Sequence, residues 1–546
     1  MKVNQYTLTL LTAILFLFTG CESDEDFLKE EAKDFLTTEN AYLNKSQFEM
    51  AIGTLHRNVQ TFYNAGDGEG DIFPLGLGTD VCFYPRDDQK VFNDWTQLNE
   101  FESLSSRWYS WQYGIIKVAN TIIEGVEREE VKWNSEEEKN AISAEAHFFR
   151  AFAYRNLAHV FGAVPLVDMP VNEPKVDFTR TAREEIWKFA KKDLEFASAN
   201  LPLSTSIPGR IVKAAADHLL AEINICLKDY DAAIAAASKV IDGDDGDYQL
   251  MTSRFGSRAS ENGKNVYWDL FRIGNQQYQE GNKEAIWVAQ MEYNTPGGTV
   301  NYGRPLIERI MHPSWWRLTK AGYSGVAQDS TGRGVAFVRP TNYANYDIWK
   351  NSEGDIRNSE VCIKRKFYFA GDAGEGAELG YKAGDLIPNS FLTSLEDTMQ
   401  LVYPVWWKFG SDKHLDAKPD NGYVRDFYVI RLPETYLLRA EAYLAKGDRE
   451  KAAADINAVR TRSMAAPVDS DDVTLDYILD ERTRELFGEE YRTLTLCRLN
   501  LLYERTQKYG HLPAQKTVKP HNNLFPIPQS VIDRNTGTVL EQNPGY

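Results

Sequence analysis

The chain has 546 residues, 43% hydrophobic and 26% charged, the make-up of a globular protein able to bury a large core rather than of a disordered one. A formal net charge of −18 argues against a nucleic-acid surface, which needs a basic patch, and makes anionic polymers poor ligands unless local patches reverse the field. Five cysteines without a CxxC pair exclude a disulfide-dense framework, and eight scattered histidines have no metal-ligand spacing.

At the N-terminus, Lys2 supplies a thin positive region and Leu8 to Phe18 an apolar stretch of signal-peptide length. Thr19-Gly20 places small residues beside Cys21, and the acidic run Glu22 to Asp26 follows at once. The expected organisation is a lipoprotein signal over residues 1–20, a lipidated Cys21, and an acidic tether over 21–35. The alternatives are an ordinary cleaved signal with a chance cysteine, or a short membrane helix, for which the stretch is short and interrupted by Thr. Each methylene of an acyl chain stabilises attachment by about 0.8 kcal/mol, so a multiply acylated cysteine is a lasting anchor. The remaining cysteines, Cys82, Cys226, Cys362 and Cys497, lie far apart; an exported chain leaves one bridge among them open.

Residues 36–242 read as the first part of a helical scaffold. Phe48 to Tyr63 and Arg107 to Val126 have helical periodicity, and a polar segment between them carries Asp80, Phe83, Tyr84, Arg86 and Trp95. The stretch LLAEINICLKDYDAAIAAA from Leu219 is echoed by LRAEAYLAKGDREKAAAD from Leu438, each an Ala-rich helix, a turn at Asp229 or Asp448, and a second Ala-rich helix. HFFRAFAYRNLAHVFG from His147 shares Arg150, Ala151 and Tyr154 with Arg439, Ala440 and Tyr443. Such repeats resemble tetratricopeptide-type hairpins. The run DGDDGD at 242–247 lacks the calcium-loop ligand pattern and reads as a solvated turn.

Over 243–422 Gly, Pro, Asn and aromatics replace helical periodicity, and the stretch is too long for a plain loop. It reads as a loop-rich insertion with short helices and strands, one strand lying in NKEAIWVAQMEYN from Asn282. Residues 423–546 resume the scaffold. There the helix from Asp480 carries Glu481, Arg482, Arg484, Glu485, Glu489, Glu490 and Arg492 at i, i+3 and i, i+4 spacings, read as structural charge pairs of modest worth. The predicted class is mainly α: a tetratricopeptide-like helical-hairpin scaffold with a large loop-rich, aromatic-rich insertion.

The chain contains 12 Trp, 28 Tyr and 27 Phe. A sugar offers an apolar C–H face and an edge of hydroxyls, so a binder needs aromatic platforms with polar groups beside them. Asp80, Tyr84, Arg86 and Trp95 form one candidate set; Tyr302, Trp315, Trp316, Arg339 and Trp349 form another, with Tyr343 and Tyr346 nearby. Apolar burial is the commoner use of any one ring, and Trp268, Trp287, Trp406 and Trp407 are assigned to structure. GxSxG, HExxH, GxxxxGK and GxGxxG are absent, so no catalytic residue, metal ligand or cofactor is expected, and no structural calcium is derivable.

Five segments together resemble the SusD/RagB family of surface nutrient-binding lipoproteins: the N-terminal lipid signal, RAFAYRNLAHVFGAVPLV from Arg150, VIRLPETYLLRAEAYLAKGD from Val429, ILDERTRELFGEEYRTLTLCRL from Ile478, and LFPIPQSVIDRNTGTVLEQNPGY from Leu524. They span both halves of the mature chain. Thr495 stands where the family often has an acidic residue, and the insertion matches only loosely. The resemblance implies a helical repeat scaffold without catalytic activity, an oligosaccharide ligand, docking on a SusC-like TonB-dependent transporter, and attachment through its lipid to the outer face of the outer membrane. It also implies a ligand role for the region around Tyr84 and Trp95. Two other readings stay open: a peptide-binding lipoprotein of the RagB kind, and a surface glycoside hydrolase, whose paired carboxylates are fixed in space and not along the chain.

Overall fold

The computed structural model describes residues 42–63, 69–292, 306–328, 334–411 and 423–546, with the single residues 295, 298, 331 and 332. Cys21, the tether and Tyr302 lie outside the described residues. The scaffold is built from long helices: α1 (Lys45–Tyr63), α2 (Ser103–Gly125), α3 (Glu136–Phe161), α4 (Arg183–Asn200), α5 (Lys213–Cys226), α6 (Tyr230–Ile241), α7 (Leu432–Ala445), α8 (Arg449–Arg462), α9 (Leu475–Leu486), α10 (Arg492–Arg498) and α11 (Leu502–Tyr509). Each helix from α2 to α7 packs on the next in sequence, as stacked hairpins do. The mainly α, tetratricopeptide-like class is the observed one.

Local chemistry sets the helix ends. Ser135 caps α3 by accepting the Glu138 N–H at 3.2 Å, and Glu136, Glu137 and Glu138 sit on the positive end of its dipole. Gly162, at φ 72°, ends the same helix with a backbone turn that only glycine takes without strain. The two repeat turns are built alike: Asp229 accepts the Ala232 N–H at the start of α6, and Asp448 accepts the Lys451 N–H at the start of α8.

The two repeat hairpins meet. Helices α6 and α7 pack together although the insertion separates them in sequence, joined by Ile225, Ala233, Leu438 and Ala442. Glu222 of α5 and its repeat counterpart Glu441 of α7 grip one guanidinium: Arg498 Nε lies 3.1 Å from Glu222, and its two terminal nitrogens each lie 2.7 Å from Glu441. All three are buried, so the repeat is closed by charge as well as by small residues. Arg150 on Asp193 and Arg439 on Asp455 repeat another ion pair, each joining the first helix of a hairpin to its second.

Among the described residues, eight short strands pair two by two, all antiparallel: β1 (Cys82–Phe83) with β5 (Arg339–Pro340), β2 (Val164–Pro165) with β3 (Arg180–Thr181), β4 (Ala285–Ala289) with β8 (Phe427–Arg431), and β6 (Ile363–Lys364) with β7 (Val405–Trp406). The strand read from Asn282 is β4, and its pairing with β8 ties the insertion's first half to the start of α7. Trp287, Trp349, Ile363 and Trp406 belong to the same core as the scaffold helices, whereas Trp315, Phe367, Phe369 and Phe391 form a separate cluster within the insertion. Trp268, Trp287 and Trp406 are buried, as expected for structural rings; Trp407 is half-buried.

The charged helix is structural, and it holds one pair along its own face, Arg484 with Glu481 at 2.8 Å. Most of its charges are buried and meet residues of other elements: Glu485 meets Arg357, Arg431 and Arg462, Glu481 meets Arg357 and Arg460, and Arg482 meets Glu434 and Glu490. Helical spacing reports which charges are neighbours on one helix, and says nothing of what packs above it. Asp245 departs from its reading: it is fully buried beside Asp217, not solvated, and neither of its carboxylate oxygens has a hydrogen-bond partner. The described cysteines are all free.

Candidate functional site

The short ladder between β1 and β5 sets Phe83 opposite Arg339, so it joins the two sets of candidate residues from distant parts of the chain. Thr341 reinforces the join, its N–H donating to Val81 O and its hydroxyl to Asp80 O at 2.6 Å. Beyond β1 the chain is folded back around buried Asn93, whose amide accepts the Tyr84 N–H and donates to the carbonyls of Tyr84 and Asp87. That turn projects Arg86 across to the insertion, where its guanidinium donates to the Val335 and Ala336 carbonyls and lies 5.0 Å from the Phe337 ring centre.

Arg339 lies 5.6 Å from the ring centres of both Phe83 and Tyr403. Phe83 stacks on His511 at 3.9 Å, and His511 contacts Asp88 at 3.1 Å, which brings the turn after α11 into the same surface. Burial pulls the His511 pKa down against the pull of Asp88. Half-buried Trp316 is oriented by its indole N–H on Gly334 O at 2.8 Å. Tyr346, 46% exposed, flanks Arg339 and Arg365. The surface therefore combines aromatic faces open to solvent with guanidinium donors beside them, a pairing suited to a ring with one apolar face and a polar edge.

Several predicted residues are not on it. Asp80 is fully buried and ion-paired to Arg492 at 2.5 Å and to Arg505 at 3.0 Å. Burial alone would raise its pKa, but the two guanidinium groups outweigh that and hold it at about 2. Trp95 is 1% exposed, its indole N–H donating to Gly78 O at 3.0 Å and its ring edge-on to Phe92 and Phe525. Trp349 is buried with its N–H on Ala344 O, and Tyr84 is buried under the Lys90 ammonium. Trp315 is 2% exposed, capped on one face by the Lys364 ammonium at 3.8 Å and edge-on to Phe367. These rings offer no face to a ligand, because each closes a core and not a surface. Arg86 and Arg339 are brought together, joined by Phe337, Tyr346, Arg365 and His511, and Trp316 reaches the same stretch through Gly334, next to the Val335 and Ala336 carbonyls that Arg86 holds. Arg365 and His511 carry no sequence signal, since their place depends wholly on which strands pair.

Among the described residues no group of three or more His, Cys, Asp or Glu is arranged to hold a metal ion, and no helix is long and apolar enough to cross a membrane. An apolar groove of about 400 Å³, lined by Tyr109, Tyr113, Phe178, Val531 and Leu540, lies on the scaffold apart from this surface.

Two family models match the chain, one described as SusD family over residues 403–546 and one as starch-binding associating with outer membrane over residues 80–225. A curated relative from Formosa agariphila, SusD-like protein P2, is 23% identical over the full length of both chains. A solved laminarin-binding SusD-like protein superposes with a TM-score of 0.66 at 24% identity, covering 92% of this chain and all of that one. Surface glycan-binding protein A from Bacteroides fluxus gives a TM-score of 0.66 at 21% identity, covering 92% and 99%.

Proposed function

Because the chain belongs to the SusD/RagB family, we propose that it is a cell-surface lipoprotein that binds oligosaccharides and delivers them to a SusC-like TonB-dependent transporter in the outer membrane. The observation that carries the reading is the surface of exposed Tyr346 and half-buried Trp316 and Phe337, with Arg86 over the Phe337 ring and Arg339 beside Tyr346. Its support from relatives is that a laminarin binder and a surface glycan binder share this fold. The outer-membrane address rests on the Cys21 signal and on the family description.

The role is capture without bond cleavage. Stacking and hydrogen bonding on an open surface give micromolar to millimolar binding, and release into a transporter requires affinity that weak. Affinity electrophoresis against a panel of polysaccharides tests the reading: retention by at least one glycan, with no product formed, is expected. Retention by none, with peptides bound instead, overturns it, and product released from a bound glycan overturns the non-catalytic part.

A further inference from the structure

Several buried arginines of this protein meet a carboxylate: Arg357, Arg431 and Arg492 each do so at 2.9 Å or less. Among the described residues, Arg339 and Arg365 have no such ion pair. Arg339 is half-buried between Phe83 and Tyr403, donates only to Asn342 Oδ1 at 3.3 Å, and its Nε is buried with no partner. Arg365 is half-buried as well and donates to two backbone carbonyls, Asn345 O at 2.8 Å and Ile363 O at 3.4 Å. Burial pulls both guanidinium pKa values down, at Arg365 against the opposing pull of Tyr346 and Glu360, so the cost of taking charge from water outweighs the partners that the described residues provide.

The nearby carboxylates are turned elsewhere. Glu360 accepts the backbone N–H groups of Arg365 and Lys366, Asp347 pairs with Lys350 at 2.7 Å, and Asp88 contacts His511. Tyr346, the exposed ring of the group, has Arg365 5.9 Å from its centre and Arg339 close enough to influence. The hydroxyl of buried Tyr403 feels both Arg339 and Arg86, and Tyr346 lies by both Arg339 and Arg365, so cationic groups gather locally in a chain whose net charge is −18. A local field of this kind reverses the sign of the global one.

We propose that Tyr346, Arg339 and Arg365 form an anion-reading subsite that selects oligosaccharides bearing a carboxylate or sulfate group. The proposal rests on the glycan-binding reading and adds its substrate class. The apolar face of one sugar stacks on Tyr346, and its anionic substituent enters between the two guanidinium groups, whose flat forks match carboxylate and sulfate oxygens. The ligand anion supplies the counter-ion that the fold withholds, so the arginines discriminate against neutral sugars, which leave them uncompensated.

Calorimetry on the full chain decides the matter, with laminarin as the neutral probe, polygalacturonate as the uronate and carrageenan oligosaccharides as the sulfate. Binding to one anionic probe is expected, weakening as salt rises from roughly 50 to roughly 500 mM NaCl. Carboxyl reduction or desulfation of that probe is expected to abolish it, and the probe retained identifies which anion is read. Arg365→Gln is expected to weaken binding roughly tenfold or more. Arg339→Lys serves as the second variant, keeping the charge but losing the fork, with melting curves confirming that both are folded. Salt-independent binding of the neutral probe alone overturns the anion subsite while leaving glycan capture standing; binding of no glycan overturns both.

Discussion

At Trp95 and Arg339 the same physical quantity, exposure, assigns opposite roles to two candidate residues. Trp95→Ala empties a packed site and is expected to cost about 3–5 kcal/mol in chemical denaturation, a loss that follows from its edge contacts with Phe92 and Phe525. Titration separates two further buried groups. Asp80 and Glu481 are each held at about 2, burial in both being outweighed by guanidinium groups, so their contribution is present above their ordinary values near 4 and is lost as pH falls towards 2. Asp245 has the opposite sign: burial, then the neighbouring Asp217, raises it to about 7, so the fold favours its protonated form. Stability from this group is present below its ordinary value of 3.8 and is lost as pH rises through about 7. Urea midpoints measured from pH 4 to pH 8 are expected to fall less steeply in Asp245→Asn than in the parent; equal slopes would remove this account of Asp245.

Among the elements, the repeat hairpins make a prediction that no single residue makes. Asp448→Ala removes the cap of α8 and is expected to cost about 1 kcal/mol. The clasp at Arg498 is worth more, because removing one partner of a buried ion pair leaves the other charge stranded, at about 3–5 kcal/mol. Glu222→Gln and Glu441→Gln share that one guanidinium, so a double-mutant cycle is expected to show coupling between them. Additive losses would mean the two hairpins are not joined through it. The hairpins and the strand at β4 were legible in the sequence because capping residues, Ala spacing and alternation are local signals. The roles of Asp80 and the Asp480 helix were not, since their partners come from elements far along the chain.

For the whole molecule, a helical scaffold holds a loop-built surface rigid, and the ladder between β1 and β5 fixes the two parts of that surface in register. On the proposed reading the body stands on a lipid at Cys21, beyond the described residues. Cys21→Ala is expected to release the protein from the membrane fraction and to abolish uptake while leaving glycan retention by the purified protein intact. Attachment and uptake both unchanged would remove the tether from the account. The sequence by itself determined the repeat scaffold, its caps, the family and the richness in aromatic rings, all of which follow from neighbours a few residues apart or from motifs read in order. Only the tertiary structure decided which rings keep a face in water and which arginines lack a carboxylate. Those outcomes depend on which distant segments pair, and a side chain's own spacing carries no record of the surface packed against it.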